Sequence, residues 1–150
     1  MTKPSPFVDT SGWANYLIKT EPFHAEASKL FQNYFQNKIE LVTSNYVMAE
    51  LSALLYSPLR VTKTQQIKIF DVIKMASWVK IIHIDQAVEL RAYQLWKSRP
   101  DKNWSLVDCT SFVLMESEGI TTSLTSDHHL TLSSLRFCLA KYFSAFALPF

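Results

Sequence analysis

The sequence predicts an α/β protein with three layers, α/β/α, in which helices cover both faces of a mainly parallel central sheet of four to five strands. Short apolar segments of strand length alternate with longer segments of helical periodicity, a pattern typical of parallel sheets joined by crossover helices. No internal repeat, charge run or low-complexity linker divides the chain, and its 150 residues are enough for one core. We therefore predict a single domain over residues 1–150.

In the first half of the chain, apolar spacing, capping residues and one proline define five elements. Apolar side chains that recur every three or four residues indicate helices, and short apolar runs indicate buried strands. A serine before a helix can cap its first amide groups, and a proline ends a helix. The predicted elements are a strand at residues 6–10, a helix capped by Ser11 through Lys19, a helix at 22–37, a strand at 39–43, and a helix at 45–56 that stops before Pro58.

The second half repeats this alternation and ends in a fourth strand. Asp85 and Ser105 are typical helix caps, and Gly119 is typical of a helix end. The predicted elements are a helix at 63–76, a strand at 79–84, a helix capped by Asp85 through Ser98 and broken by Pro100, a helix capped by Ser105 that ends near Gly119, and a strand at 120–126.

The closing segment, residues 136–150, is strongly apolar. Lys141 interrupts it, and it is shorter than the roughly 20 residues that a membrane helix needs, so we predict no membrane association. We interpret the segment as a packed strand and tail. Exposure on a dimer or partner surface is the alternative, because large apolar patches mark interfaces.

Composition and cysteine content narrow the class of protein. Apolar residues make up 48% and aromatic residues 13% of the chain, which is typical of a globular protein. The formal net charge of +2 is too small to indicate an anionic partner by itself. Cys109 and Cys138 are the two cysteines, and the first residues have no apolar stretch suited to a secretory signal. Both features predict a reducing cytoplasm.

Four carboxylates fall where a parallel sheet would gather them, namely Asp9, Glu50, Asp108 and Asp127. Asp9 and Asp127 lie at strand ends, Glu50 lies in the second turn of a helix after the second strand, and Asp108 lies in the first turn of another helix. Residues just past the carboxyl ends of parallel strands share one edge, where ligands bind. The convergence requires residues 99–105 to return the chain to that edge, and seven extended residues reach roughly 23 Å.

Each carboxylate has a structural explanation when it is taken alone. Asp9 and Asp127 suit helix or turn caps, and Asp108 forms a Ser-x-x-Asp capping box with Ser105. Glu50 is harder to explain, because its spacing from Val47 places it on the face that is expected to meet the core, where an unpaired charge is costly. Carboxylates about 5 Å apart repel by about 3 kcal/mol per pair at an effective dielectric constant near 20. A hard divalent cation such as Mg²⁺ or Mn²⁺ would remove that conflict.

The sequence around these acids resembles the PIN-domain nucleases, particularly the VapC-type toxin branch, over about residues 6–129. The motifs are a Val-Asp-Thr-Ser start, an acid in the helix after the second strand, a Trp-Ser-Leu-x-Asp-Cys-Thr-Ser-Phe stretch at residues 104–112, and a Thr-x-Asp-x-His close. The 104–112 stretch is the most specific of them. The sequence departs from the family at Asn103, where relatives often carry a further acid, and at residues 130–135, which lack the usual Phe and Gly.

The resemblance implies a PIN-like fold and assigns a role to each acid. Asp9, Asp108 and Asp127 would bind metal, and Glu50 would bind it directly or through water. Ser11 and Ser126 would be supporting hydroxyls. The resemblance also implies cleavage of single-stranded RNA, an antitoxin partner that blocks the site, and a homodimer.

We therefore predict a Mg²⁺- or Mn²⁺-dependent endoribonuclease, the toxin of a type II toxin-antitoxin pair, with Asp9, Glu50, Asp108 and Asp127 as catalytic and metal-binding residues. A catalytically silent PIN-like module that binds RNA or protein is the alternative. Another magnesium phosphohydrolase is a third hypothesis, although its common aspartyl-phosphate version has an Asp-x-Asp pair where this chain has Asp9-Thr10-Ser11.

Several basic and aromatic residues are candidates for contact with RNA. A cation can hold a phosphate, and an aromatic ring can stack on an unpaired base. A merely solvated surface is the preferred explanation of any one cation, and packing against the following helix explains the ring equally well. The candidates are Arg60, Lys63, Lys97, Arg99, Lys102 and Trp104.

Overall fold

The computed structural model describes residues 5–125, and within that range six helices alternate with four strands. Their order confirms the predicted alternation of strands and helices. The elements are β1 (Phe7–Val8), α1 (Thr10–Leu17), α2 (His24–Gln36), β2 (Leu41–Ser44), α3 (Asn45–Tyr56), α4 (Lys63–Met75), β3 (Val79–Ile82), α5 (Gln86–Ser98), α6 (Leu106–Ser117) and β4 (Ser123–Leu124).

The four strands form one parallel sheet in the order β3-β2-β1-β4. Phe7 of β1 is in register with Val42 of β2 on one side and with Ser123 of β4 on the other. Each observed strand lies inside or overlaps its predicted segment. The predicted three-layer α/β/α fold is confirmed. Because β1 is flanked on both sides, the residues that follow it lie in the middle of the carboxyl edge of the sheet, where ligands bind in this class of fold.

The core consists mainly of the two central strands and the helices that follow them. Phe7, Val8 and Leu41 are completely buried. Trp13 of α1 is also buried, makes an edge-to-face contact with Phe31 of α2 at 5.5 Å between ring centroids, and donates a hydrogen bond through Nε1. Strands buried on both faces are expected to be continuously apolar, as the sequence of β1 shows.

The N-cap of α1 is Asp9, which was predicted as a possible cap, and not Ser11, from which the helix was expected to start. Asp9 Oδ1 accepts a hydrogen bond from the backbone N–H of Gly12 at 2.8 Å, as an N-cap side chain does. The helix therefore begins at Thr10, directly after β1. This early start brings Thr10 and Ser11 to the edge of the sheet beside Asp9.

The connection between α5 and α6 also differs from the prediction, since residues 99–105 do not extend along the length of a helix. The Arg99 guanidinium carbon lies 5.5 Å from the centroid of the Trp104 ring, and Lys102 N–H donates to the Arg99 carbonyl at 3.1 Å. At the other end of the helix pair, Arg91 forms a 2.7 Å salt bridge with Glu116. The two helices thus run antiparallel, and α5 itself returns the chain to the position from which α6 starts.

Gly12 is required by the close approach of α1 to β4. A Cβ atom at this position would lie 2.4 Å from the carbonyl oxygen of Leu124 and 3.0 Å from Cγ1 of Val8. Backbone cannot move away as a flexible side chain can, so we expect Gly12→Ala to lower the free energy of unfolding by about 1–3 kcal/mol, measured by urea denaturation.

Gly119→Asn is the matched control for this variant. Gly119 has φ +66°, which asparagine tolerates, and among residues 5–125 no atom beyond its chain neighbours lies within 4 Å of an added Cβ. We expect this control to lose less than about 1 kcal/mol. A Gly12→Ala protein as stable as the original chain would show that α1 and β4 are further apart than described.

Candidate metal and active site

Asp9 lies directly after the central strand, at its carboxyl end, where its pKa is perturbed. Its Oδ1 accepts hydrogen bonds of 2.8 Å from Ser11 Oγ and from Gly12 N–H. The pKa of Asp9 is raised to about 6, mainly by burial and to a small extent by the negative charge of Asp108. Hydrogen bonds from Thr125, Gly12 and Ser11 offset part of that rise. The environment of Asp9 therefore stabilises its ionised form poorly in the absence of a cation.

Asp108 is both a helix cap and a member of the same site. It is the third residue of α6, where its Oδ2 accepts from Ser105 N–H at 2.8 Å and its own N–H donates to Ser105 Oγ at 3.0 Å. The predicted capping box is therefore present. Asp108 lines the same cleft as Asp9, which follows β1, and its negative charge contributes to the raised pKa of Asp9.

Glu50 lies in the second turn of α3, is partly buried, and accepts a hydrogen bond through Oε1 from the hydroxyl of Thr10. Thr10 is buried and belongs to α1, so this bond joins the helices that follow β1 and β2. Glu50 is thus held at the cleft by a neutral donor. The hydroxyl of Thr10 stabilises the carboxylate without adding a second charge.

These three acids line one open cleft of about 450 Å³ at the carboxyl edge of the sheet. The structure therefore brings Asp9, Glu50 and Asp108 to one surface, as the spacing predicted. The fourth predicted acid, Asp127, and the predicted supporting hydroxyl of Ser126 lie outside the described residues. The cleft is lined by Asp9, Thr10, Ser11, Val47, Glu50, Leu54, Val107, Asp108, Ser111 and Thr125.

The three acids line one cleft, but this does not mean that all three bind the same ion. Within residues 5–125, no three His, Cys, Asp or Glu side chains are close enough together to hold a metal between them. Mg²⁺ needs fewer protein ligands, since it is usually held by one or two carboxylates and completes its shell with water and substrate phosphates. Asp9 and Asp108 supply hard oxygen ligands of that kind, so the residues present fit such an ion.

Hydroxyl groups around the acids form a second feature of the site. Ser11 Oγ donates to Asp9 and lies 3.2 Å from Thr125 Oγ1. Ser11 was predicted from the sequence, whereas Thr10, Ser111 and Thr125 were missed. A signal for two of them was present, because Thr10 belongs to the Asp-Thr-Ser motif and Thr125 to the Thr-x-Asp motif.

Several residues outside the acidic set make contacts with their neighbours in the protein. Trp104 packs edge-to-face on Phe112 at 5.1 Å between ring centroids, and Arg99 forms two 2.8 Å hydrogen bonds with Asp101. Lys97 lies 4.5 Å above the Tyr93 ring. Cys109 is completely buried, and burial raises the pKa of its thiol to about 11, which makes it a poor nucleophile.

Residues 7–133 match the PIN domain family, so the chain belongs to that family. It is 27% identical over 121 residues to the 23S rRNA-specific endonuclease VapC20 of two strains of Mycobacterium tuberculosis, which covers 81% of this chain and 88% of the relative. The crystal structure of Mycobacterium tuberculosis VapC20, described as a Sarcin-Ricin loop cleaving toxin, is similar with a TM-score of 0.73. That similarity is at 27% identity and covers 87% of this chain and 94% of the solved chain.

These comparisons confirm three predictions made from the sequence. The resemblance to the VapC-type branch, the PIN fold and the class of nuclease all stand. Nucleases of this type generally depend on a divalent metal. Among the helices within residues 5–125, none combines the length and apolar character that crossing a bilayer requires.

Proposed function

We propose that this protein is a Mg²⁺- or Mn²⁺-dependent endoribonuclease that hydrolyses phosphodiester bonds in single-stranded RNA and acts as the toxin of a toxin-antitoxin pair. The observation that carries the proposal is the placement of Asp9, partly buried and with a raised pKa, in one open cleft with Asp108. Membership of the PIN family supports the same chemistry.

In this proposal Asp9 and Asp108 hold the ion, and Asp127 is a further ligand. The bound ion would supply the positive charge that stabilises the reacting phosphate and activates water. Ser11 and the N–H of Gly12 fix the Asp9 carboxylate by donating to its Oδ1. The capping box fixes Asp108 through Ser105. Both acids are thereby preorganised by short local contacts, which keeps their oxygens in place when substrate arrives.

Glu50 orients or deprotonates the attacking water in this proposal. Its Oε1 is already occupied by the hydroxyl of Thr10, which leaves the rest of the carboxylate for a water in the cleft. Attack in line with the leaving 3′-oxygen produces a 5′-phosphate and a 3′-hydroxyl end. The leaving oxygen takes its proton from solvent, since the cleft is open.

Substrate and partners follow from the relatives. Because the VapC20 relatives are named for 23S rRNA and the Sarcin-Ricin loop, we propose an exposed loop of ribosomal RNA as the substrate. An antitoxin that covers the cleft and a homodimer are part of the proposal. A cytoplasmic location is also proposed, supported by Cys109, which is a free thiol.

Cleavage of purified 23S rRNA with Mg²⁺ tests the proposed function directly. We expect one main cut carrying a 5′-phosphate and no cut when a chelator replaces the metal, because the acids alone cannot neutralise the phosphate. A messenger RNA of the same length is the control for substrate class. Cleavage that persists at the same rate in excess chelator would contradict the proposed chemistry.

A catalytically silent PIN-like module is the second candidate. The observation that favours it is the absence, within residues 5–125, of three acids close enough to hold one ion. It predicts that RNA binds and is never cut at any Mg²⁺ or Mn²⁺ concentration. Any chelator-sensitive product in the assay above would eliminate it.

Metal binding has a readout that needs no substrate. An ion that binds only the folded state raises stability by RT ln(1 + [Mg²⁺]/Kd), about 2.7 kcal/mol at a hundredfold excess over Kd. We expect the melting temperature to rise with Mg²⁺ for the original chain and to stay constant for Asp108→Asn. Equal shifts in both proteins would place the ion elsewhere.

A further inference from the structure

A second cleft lies where α3 meets α4, outside the site described above. It measures about 830 Å³, and its lining includes Tyr56, Ser57, Arg60, Thr62, Lys63 and Gln66. Among the residues that the structure describes, no acidic side chain lines it. Arg60 and Lys63 are exposed, and neither takes part in the three ion pairs found within residues 5–125. The cleft therefore presents two uncompensated cations to solvent.

An aromatic side chain stands beside these cations. Tyr56, the last residue of α3, is 75% exposed, although a large aromatic ring usually loses most of its surface on folding. Cations that follow a nucleic-acid backbone, combined with an exposed ring on which a base can stack, are the usual combination in sites for single-stranded nucleic acid. A solvated basic surface alone would not explain the exposed ring within the same concavity.

The second cleft and the catalytic cleft are joined by α3. Glu50 and Leu54 of this helix line the catalytic cleft, while Ala53, Tyr56 and Ser57 line the second one. Ala53 and Tyr56 follow Glu50 by three and six residues, so the second cleft begins within one turn of Glu50 and extends about 9 Å along the helix axis. One extended strand of RNA that passes Glu50 would therefore continue along α3 into the basic cleft.

We propose that the α3–α4 cleft is a second binding site for the substrate, in which Arg60 and Lys63 bind phosphates of single-stranded RNA and Tyr56 stacks on a base. This rests on the proposed function above, because it names a second contact with the same substrate. The site strengthens binding without contacting the reacting phosphate. Its loss should therefore raise KM and leave kcat unchanged.

The test compares two double variants. Arg60→Asn with Lys63→Gln removes both cations, and asparagine suits position 60 because Arg60 has φ +52°. Lys38→Asn with Lys68→Gln is the matched control, since Lys38 has φ +53° and both lysines are exposed outside the cleft. Both variants remove the same charge, so any difference between them reports on location.

Binding is measured by fluorescence anisotropy of a labelled single-stranded RNA, with each double variant added to Asp108→Asn so that the RNA stays intact. Each phosphate contact on a single strand contributes about 0.7 to the slope of log K against log salt, so the cleft variant should reduce the slope by about 1.4. At 0.15 M salt that corresponds to about tenfold weaker binding. The control variant should keep the slope of the parent protein.

Tyr56→Ala tests the aromatic contact separately. Loss of one stacked base should weaken binding about tenfold, while the slope with salt stays the same because no charge is removed. Tyr93→Ala, at an exposed ring on α5, is the control and should bind like the parent. If Tyr56→Ala also binds like the parent, no base stacks on this ring.

The outcomes separate this inference from the proposed function. If the cleft variant changes the salt slope as predicted but the original protein never cuts RNA, the second binding site is supported and the proposed nuclease function is wrong. If the original protein cuts RNA but the cleft variant and the control variant have the same salt slope and the same KM, the proposed RNA-binding role of the cleft is wrong. If the cleft variant loses binding of an acidic antitoxin segment and keeps its RNA affinity, the cleft binds protein and the inference is wrong.

Discussion

Asp108→Asn should abolish cleavage, lowering kcat/KM on the order of 10³-fold, while the protein stays folded. Removal of one group that stabilises the transition-state charge costs several kcal/mol, and each 1.36 kcal/mol corresponds to a factor of ten in rate. Asparagine retains an oxygen that accepts the 2.8 Å hydrogen bond from Ser105 N–H, so the start of α6 is preserved. The measurement is single-turnover cleavage of 23S rRNA with Mg²⁺.

Asp85→Asn is the matched control for this variant. Asp85 is an exposed helix N-cap whose side chain accepts from Val88 N–H at 2.9 Å, and it lies outside the catalytic cleft. The control should cut at the original rate. An Asp108→Asn protein that cuts as fast as the control with Mg²⁺ present would remove Asp108 from the site.

Asp9→Asn should lose activity to a similar degree and should stabilise the metal-free protein at neutral pH. Burial and Asp108 raise the pKa of Asp9 from 3.8 to about 6. The folded state therefore binds its proton more tightly than the unfolded state, and stability falls as the pH rises from about 4 to about 6. The rise in pKa from 3.8 to about 6, at about 1.4 kcal/mol per pKa unit, means that the ionised Asp9 destabilises the folded state by about 3 kcal/mol above pH 6.

Asparagine at position 9 cannot ionise but can still accept the N-cap hydrogen bond from Gly12. In excess chelator we expect the free energy of unfolding of the variant to be about 2–3 kcal/mol higher than that of the original chain at pH 7.5. Near pH 4 the two values should be equal, as measured by urea denaturation at each pH. With saturating Mg²⁺ the order should reverse, because the ion stabilises only the ionised site. If the variant and the original chain are equally stable at both pH values without metal, ionised Asp9 does not destabilise the folded protein.

These two variants also distinguish the site from a set of ordinary helix caps. Replacing an aspartate cap by asparagine on the protein surface changes stability by a few tenths of a kcal/mol. A large gain in stability together with a loss of activity is expected only where a charge is kept for function at the expense of folding. Asp85→Asn should show neither effect.

Local patterns in the sequence determined most of the fold. The alternation of apolar strands with helical segments, the caps Asp85 and Ser105, and Gly119 at the end of α6 each depend on neighbours within a few residues, so the chain itself specifies them. The family was also evident, because the 104–112 stretch and the acids are fixed motifs. The acids Asp9, Glu50 and Asp108 could be selected for the same reason.

Only the tertiary structure decided how those pieces meet. The close approach of α1 to β4 leaves no room for a Cβ atom at Gly12, and α5 returned the chain by lying antiparallel to α6. The bond from Thr10 to Glu50 joins residues 40 positions apart, and the basic cleft depends on how α3 meets α4. No local pattern records such contacts, because burial and long-range packing set the position, the pKa and the partners of a side chain.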